Sequence, residues 1–321
     1  MTLPNRPRYA ARLNAFKVKG ATVPDLIAEL GKVGGLSAAD LNYPDHLEGL
    51  APAQLSRLLG DQGLALNGLA MRYYTEAGFK LGAFTHPDAT TRRAAIDLTK
   101  RGMDACAAMG GSQMTLWMGQ DGFDYSFQAD YARMWDDTLA AIAEVADHNP
   151  AMDIAVEYKP NEPRAFALMP DMATTLLALK DVNRANTGVT LDFAHMLFAG
   201  EMPAKAAMLA ARTSRILGVH LNDGYAKRDD GLMAGTVHPV QTVELFVALD
   251  RIGYDGVIYF DTFPDLSGLN PVAEAQTNIR LTDRLRAIAA GLAGDTALAE
   301  AQARQDAAAT TRIVMAALYG A

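Results

Sequence analysis

The segment IAVEYKPNEPR, residues 154–164, joins a short apolar run to a glutamate, a lysine and several polar side chains. A short apolar run bounded by turn signals is typical of a strand that is buried on both faces. Three later segments have the same order of residues: VTLDFAHM at 189–196, VHLNDG at 219–224 and IYFDTFP at 258–264. The four segments therefore predict buried strands that each end in a side chain able to bind or react.

Apolar runs of this kind alternate with longer Ala- and Leu-rich segments along the chain. Their spacing predicts eight strands, at residues 15–18, 36–41, 65–70, 113–117, 154–157, 188–192, 216–221 and 257–261. It also predicts helices at residues 91–109, 131–148, 169–182, 204–214 and 242–252. This alternation, without a GxGxxG motif after the first strand, favours an α/β fold of the (β/α)₈ TIM barrel type over a doubly wound sheet.

The end of the chain is rich in helix formers and contains no further strand signal. We predict one catalytic barrel domain over residues 1–291 and a C-terminal helical tail over residues 292–321. A closed barrel does not need this tail, and the tail has an apolar stripe. We therefore expect it to pack on the barrel or on a second copy, which predicts a homo-oligomer, a dimer or tetramer.

Composition excludes several classes of protein. Half of the 321 residues are hydrophobic and 21% are charged, which is typical of a globular chain. With 29 basic against 37 acidic residues the net charge is -8, which argues against a nucleic-acid partner. The single cysteine, Cys106, cannot form an internal disulfide, and neither a signal-peptide core nor a membrane-spanning run is present. We expect a cytoplasmic protein without a membrane partner.

Four candidate metal ligands stand where the predicted strands end. In a barrel of this type the carboxyl ends of the strands form the active site. Three carboxylates would repel one another there, and they and the imidazole would lose hydration, unless a divalent cation lay between them. An oxygen-rich set with one imidazole suits Mg, Mn or Co. The sequence thus predicts a metal site formed by Glu157, Asp192, His220 and Asp261.

Other polar residues lie close to these ligands in sequence. Lys159 is two residues beyond Glu157, so a continued strand directs both to one side, where the ammonium can stabilise a substrate oxygen that becomes anionic. His195, with Asp229 and Asp230, is a candidate for a second cation. The alternatives are a histidine satisfied inside the rim and a simple acidic turn.

Five segments carry a resemblance to a known family: EYKPNEPR, LDFAHMLFAG, HLNDG, DDGLMAG and FDTF. They resemble the xylose isomerase family of metal-dependent barrels, including its L-rhamnose isomerase branch, to which ketose 3-epimerases are related. The stretch from GAFTHPD to GQDGFDY, residues 82–125, is similar to the part of that family that joins the third and fourth strands. The resemblance covers residues 65–265, and KPNEPR is its most discriminating motif.

The resemblance implies roles for the candidate residues. A structural metal is implied at the four predicted ligands, with Asp192 bridging to a second, catalytic metal that His195 and Asp229 also hold. Lys159 is implied to polarise the substrate carbonyl. Two positions depart from the family: Gly231 stands where an aspartate is expected, and the second-strand histidine of ring opening has no clear counterpart, because Asn42 and His46 stand near its place.

We interpret the chain as an aldose–ketose isomerase that acts on a small unphosphorylated sugar. Hydrogen would move between C1 and C2 as a hydride, assisted by one or two ions of Mn, Co or Mg. The predicted catalytic residues are Lys159, Glu157 and Asp261. The predicted substrate contacts are Trp117, Gln120, Lys159 and His195, with Tyr125, Arg72 and His86 as weaker candidates.

Three other functions are open. A ketose 3-epimerase would use Glu157 and Asp261 as acid and base, although similar epimerases carry a glutamate on the eighth strand. A lyase or isomerase of an oxidised sugar or glycoside would use the same metal to acidify a C–H bond. A sugar- or metal-binding barrel without catalysis is the non-enzyme alternative, motivated by Gly231.

Overall fold

Eight parallel strands form a closed barrel in the computed structural model, which describes residues 8–75 and 77–320. Residues 1–7, which hold part of the N-terminal segment considered above, lie outside the described residues. The barrel strands are β1 (Tyr9–Arg12), β2 (Ala38–Tyr43), β3 (Ala65–Met71), β4 (Gln113–Trp117), β6 (Asp153–Glu157), β8 (Thr187–Asp192), β9 (Ile216–Leu221) and β10 (Ile258–Phe260). They pair in chain order, and β1 closes the barrel against β10. The predicted TIM barrel is therefore confirmed.

Helices surround the barrel and separate its strands. They are α1 (Val23–Gly31), α2 (Pro52–Asp61), α3 (Ala89–Ala108), α4 (Tyr131–His148), α5 (Met172–Val182), α6 (Phe193–Phe198), α7 (Pro203–Thr213), α8 (Pro239–Arg251), α9 (Pro264–Ser267), α10 (Pro271–Ala293), α11 (Thr296–Ala303) and α12 (Ala307–Tyr319). The short strands β5 (Gly122–Phe123) and β7 (Phe166–Ala167) pair antiparallel in the loops after β4 and β6. All five predicted helices are present, with ends within three residues of prediction.

The first strand is the one that sequence reasoning misplaced. It was predicted at residues 15–18, but β1 is Tyr9–Arg12, and Leu13–Phe16 form a 3₁₀ turn. The sequence of β1, YAAR, lacks the β-branched residues that mark most strands. Small side chains are used here because Ala10 packs beside Ala38 and the bulky Tyr259. The correction places Arg12 at the carboxyl end of a barrel strand.

The C-terminal helices lie against the outside of the barrel. Helix α10 continues to Ala293, beyond the predicted boundary at residue 291. Helix α12 contributes partly buried apolar side chains, among them Ile313, Val314 and Leu318, to the main hydrophobic core. The tail thus covers its apolar stripe at least in part on its own barrel. The division into barrel and tail, and the homo-oligomer, stay predictions.

Every helix within residues 8–75 and 77–320 is too short or too polar to cross a lipid bilayer.

Candidate active site

The four predicted metal ligands meet at the carboxyl ends of neighbouring strands. Glu157 ends β6, Asp192 ends β8, His220 lies in β9 and Asp261 follows β10 directly. The Nδ1 atom of His220 is 3.3 Å from Oε1 of Glu157, 3.7 Å from Oδ2 of Asp261 and 3.9 Å from Oδ2 of Asp192. One potential ligand atom from each residue lies within 4.8 Å of all the others.

The chemistry of this group fits a divalent cation. Among the described residues the buried His220 Nδ1 has no hydrogen-bond partner, which is costly unless a cation or proton satisfies it. Burial lowers the pKa of His220, but the charges of Glu157 and Asp261 outweigh burial and raise it to about 9. Burial raises the pKa of Asp192 to about 7. A cation among the three carboxylates would relieve both conflicts, and three oxygen ligands with one imidazole suit Mn, Mg or Co.

Asn222 orients two of these ligands and was not recognised in the sequence. Its Nδ2 group donates to Oδ1 and Oδ2 of Asp192, both at 3.2 Å, and to the backbone oxygen of Asp261 at 3.3 Å. Its Oδ1 accepts from the Ala194 backbone at 2.8 Å. The available signal was its place directly after β9, in the motif HLNDG, where a polar residue lies close to the site.

Replacing Asn222 with alanine is expected to weaken metal binding by about 10- to 100-fold, the usual loss when a group that orients a ligand is removed. Calorimetric titration of Mn²⁺ into metal-free protein measures this change. Asn186→Ala is the matched control, because Asn186 is also buried but bonds the backbone oxygens of Ala146 and Met152 at the opposite end of β8. It should reduce stability and leave Mn²⁺ affinity unchanged. Wild-type affinity in Asn222→Ala would contradict the assigned role.

His195 and Lys159 meet on a single carboxylate. Asp192 caps helix α6 by accepting from the His195 backbone at 2.9 Å, which fixes His195 beside the ligand group. Oδ2 of Asp229 is 3.2 Å from His195 Nε2 and 3.2 Å from Lys159 Nζ. Burial lowers the pKa of Lys159, but Asp229 and Glu162 more than compensate and raise it above its ordinary value. The Lys159 side chain is therefore a fixed ammonium next to the predicted metal site.

A second metal fits these residues poorly. Gly231 has φ of +58°, and a Cβ atom placed there would lie 2.3 Å from the ring of Phe263. The Phe263 ring therefore leaves no space for an aspartate side chain at position 231, where the family resemblance predicts one. Asp230 is turned to the Tyr225 backbone at 2.8 Å and to Arg228 at 2.7 Å.

Asp229 is paired with two protein side chains. Within the part of the chain that the structure describes, the four-residue group is the only set of three or more His, Cys, Asp or Glu ligand atoms close enough to share an ion. Asp229 instead contacts the Lys159 ammonium and His195. The arrangement favours one divalent ion per chain, with Lys159 as a second, protein-borne cation.

A cavity of about 260 Å³ opens beside the ligand group. Trp117 and Tyr74 form an aromatic wall of this cavity, with ring centres 5.1 Å apart and nearly perpendicular planes. Lys159 Nζ is 5.3 Å from the centre of the Trp117 ring. His195 also lines the cavity. The space is therefore suited to a small polar molecule that rests against an aromatic face.

Arg12 belongs to this cavity and was missed because the first strand was misplaced. Its Nη1 atom is 3.3 Å from Oδ1 of Asp261, and its guanidinium carbon lies 4.5 Å from the centre of the Phe263 ring. The ion pair holds Asp261 in the ligand group. The rule that functional residues follow barrel strands would have found Arg12 once β1 was placed correctly.

One of the four remaining candidates for substrate contact lines the cavity. Arg72 lines it, whereas Gln120, Tyr125 and His86 are not among the described residues that do. The Tyr125 side chain is 74% exposed, and His86 accepts a hydrogen bond from the Asp88 backbone at 3.1 Å.

His46 and Asn42, the two residues near the expected ring-opening position, differ in where their side chains lie. His46 is buried, and its Nδ1 accepts from the backbone of Asn42 at 2.9 Å. Burial, reinforced by the charges of Arg72 and Arg12, lowers the pKa of His46 to about 3. A neutral, hydrogen-bonded His46 supports the β2 terminus, and Asn42 rather than a histidine faces the cavity.

Comparison with known proteins finds one family and several solved structures that this chain is similar to. The family described as xylose isomerase-like TIM barrel matches residues 25–285. Xylose isomerase of Thermus thermophilus is 28% identical over 247 residues, which cover 73% of this chain and 63% of that protein. The match thus spans less than two thirds of the length of this relative.

Two solved structures share the fold. D-allulose 3-epimerase from Methylomonas sp., in complex with D-allulose, has a TM-score of 0.68 and 19% identity, covering 88% of this chain and 99% of that one. D-psicose 3-epimerase from Clostridium cellulolyticum H10, with D-tagatose, has a TM-score of 0.69 and 16% identity, covering 87% and 99%. At these identities the likeness establishes the architecture of the barrel.

Proposed function

This chain belongs to the xylose isomerase-like TIM barrel family, and from that premise we propose that it interconverts an aldose and a ketose by a 1,2-hydride shift. The observation that carries the proposal is the Lys159 ammonium, which Asp229 holds at 3.2 Å beside the four-ligand group. A fixed positive charge at that place is what a developing sugar alkoxide requires. The proposed cofactor is one divalent ion per chain, with Mn, Co and Mg as candidates.

In the proposed mechanism the residues of the site have separate roles. Glu157, Asp192, His220 and Asp261 would hold the ion, which when bound polarises a carbonyl and stabilises negative charge on the neighbouring oxygen. Lys159 donates a hydrogen bond to O1 as that oxygen gains negative charge. Asp229 and Glu162, at 3.2 and 2.9 Å, keep the ammonium directed. Trp117 covers one face of the sugar and excludes water from the reacting carbons.

The hydride shift itself transfers one hydrogen with its electron pair. As the C2 hydroxyl loses its proton, the C2–H bond breaks and the same hydrogen forms a bond to C1. The C2–O bond becomes a carbonyl, while O1 takes up a proton and becomes a hydroxyl. No carbon base is needed, because the proton that leaves O2 is balanced by the proton that O1 takes up, and the protein stabilises charge on the two oxygens.

A ketose 3-epimerase is the second candidate. Its support is the architecture shared with two epimerases and a single well-formed ligand group rather than two. Glu157 and Asp261 would then remove and return a proton at C3. Action on an oxidised sugar or glycoside, and binding without catalysis, are the further alternatives to be tested.

Turnover in D₂O separates these functions. Protein loaded in turn with Mn²⁺, Co²⁺ and Mg²⁺ is incubated with a panel of unphosphorylated aldoses and ketoses, and products are followed by NMR. We expect aldose–ketose interconversion in which the migrating hydrogen is retained, because a hydride shift does not exchange with solvent. Near-complete deuterium incorporation at the reacting carbon would instead support the epimerase or the lyase. Absence of any turnover would support a binding barrel.

Assembly and cellular location are further parts of the proposal. The tail helices α11 and α12 present the surface on which we predict association of two or four copies. The cytoplasm is the predicted location, and carbohydrate metabolism the predicted role.

A further inference from the structure

Arg72 is anchored at the cavity wall, and part of its guanidinium group is available to donate hydrogen bonds. It follows β3 directly and lines the cavity together with Tyr74 and Asn42. Its guanidinium carbon lies 4.8 Å from the centre of the Tyr74 ring. With its amide oxygen turned toward Arg72, Asn42 accepts from Nε at 3.0 Å and from Nη2 at 3.1 Å. Within the described residues Nη1 has no hydrogen-bond partner, so one end of a well-anchored guanidinium is available to a ligand.

Within the described residues the charge of Arg72 is also unpaired, in contrast to four other arginines, one at the end of β1, one in the loop after β6 and two in the first turns of α3 and α4. Those pairs are Arg12 with Asp261 at 3.3 Å, Arg92 with Asp137 at 3.2 Å, Arg133 with Asp137 at 2.7 Å and Arg164 with Asp124 at 2.9 Å. Across residues 8–75 and 77–320, no carboxylate oxygen lies within 4.0 Å of the Arg72 side chain. A partly buried guanidinium without a counter-charge is costly, and its planar fork matches a carboxylate.

We propose that Arg72 is a subsite for a substrate carboxylate, so that the sugar converted by this protein is a sugar acid. This proposal rests on the isomerisation proposed above, because Lys159 marks the reacting end of the same cavity. A series of ring contacts connects Lys159 with Arg72. Lys159 Nζ is 5.3 Å from the centre of the Trp117 ring, which is 5.1 Å from the centre of the Tyr74 ring. The guanidinium carbon of Arg72 is 4.8 Å from that second centre. The sugar chain would extend along this aromatic wall, with its reacting carbons at Lys159 and its acid group at Arg72.

The size and charge of the subsite favour a carboxylate over a phosphate. The cavity has a volume of about 260 Å³, which gives room for one short sugar chain. Phosphate sites usually combine several donors, often including a helix N-terminus. Here a single guanidinium presents a two-pronged donor, which one planar carboxylate satisfies.

A binding experiment tests the subsite without requiring turnover. Mn²⁺-loaded protein is titrated calorimetrically with a C6 aldonate and with the alditol of the same configuration, which differ only in a terminal carboxylate. We expect the aldonate to bind about 10- to 100-fold more tightly, as charge-assisted hydrogen bonds normally provide. Arg72→Met should abolish this preference, and Arg72→Lys should restore part of it. Arg92→Met, which removes a paired arginine that does not line the cavity, should keep it fully.

Each other outcome overturns the assignment. Equal affinity for the two ligands in the wild type shows that no carboxylate subsite exists. A preference that persists in Arg72→Met shows that the carboxylate binds the metal instead. A matched sugar 6-phosphate that binds more tightly than the aldonate, in an Arg72-dependent way, shows a phosphate subsite.

Turnover separates this proposal from the proposed function. If the isomerase is correct, a uronate should have a higher kcat/KM than the corresponding neutral aldose, and Arg72→Met should remove the difference. If no sugar is isomerised but the calorimetric preference holds, the isomerase fails and the carboxylate subsite stands. If neutral aldoses are isomerised as well as uronates and the calorimetric preference is absent, the subsite fails and the isomerase stands.

Discussion

Treatment with a chelator of divalent metals is expected to abolish sugar turnover and to lower the melting temperature. Without a cation, Glu157, Asp192 and Asp261 would face one another around His220 in a buried group. An ion that binds only the folded state at 100 times its Kd stabilises it by about 2.7 kcal/mol. Turnover and thermal unfolding before and after chelation, and again after Mn²⁺ or Co²⁺ is returned, measure both effects.

The control for chelation is a variant in which the ligand group is neutralised. Glu157→Gln combined with Asp192→Asn removes two of the facing charges, so its melting temperature should respond little to chelator or to added Mn²⁺. Full turnover by wild-type protein from which metal analysis finds no remaining ion would refute the metal-dependent functions. An unchanged melting temperature after complete removal would show that the ligand group is satisfied without a cation.

Lys159→Met is expected to lower turnover by about 10²- to 10³-fold, the usual effect of removing one preorganised electrostatic donor from a transition state. Lys159 contacts Asp229 and Glu162 but is not one of the four predicted ligands. Mn²⁺ affinity should therefore barely change, whereas kcat should fall. Steady-state kinetics and calorimetric Mn²⁺ titration on the same preparation check the two parts.

Lys180→Met is the matched control for this prediction. Lys180 is exposed in the last turn of α5, away from the cavity, so its loss should leave kcat and Mn²⁺ affinity unchanged. The epimerase assigns the proton transfers to Glu157 and Asp261 and predicts a loss of less than tenfold in Lys159→Met. A small loss, together with solvent deuterium at the reacting carbon, would replace the isomerase by the epimerase.

The combination of Lys159 with one ligand group distinguishes this site from a two-metal arrangement. Phe263 closes the space beside Gly231, and Arg12 lies over the same ring while it pairs with Asp261. In the proposed function, the ion and Lys159 would together supply the positive charge near the substrate oxygens. In the proposed carboxylate subsite, Arg72, whose charge is unpaired within the described residues, would bind the far end of the substrate and decide which sugar is accepted.

The architecture of the barrel was determined by the sequence to a large extent. Apolar runs such as 188–192 and 216–221 are buried on both faces, so their composition alone identifies them as strands. The positions of Glu157, Asp192, His220 and Asp261 follow from those strands, because residues that end parallel strands must reach the same rim. The family resemblance of the motifs around them, which the comparisons confirm, also depends on local sequence alone.

Only the tertiary structure decided the contacts between distant segments. The strand YAAR has no β-branched residue and is a strand because β2 and β10 pair with its two sides, which brings Arg12 to Asp261. Lys159 finds Asp229 at a sequence separation of 70 residues. The contact of Gly231 with the Phe263 ring, and the lack of a charge partner for Arg72 among the described residues, are likewise results of packing. Composition and periodicity report on how each segment is buried, whereas the partner of a charge depends on which loops the closed barrel places side by side.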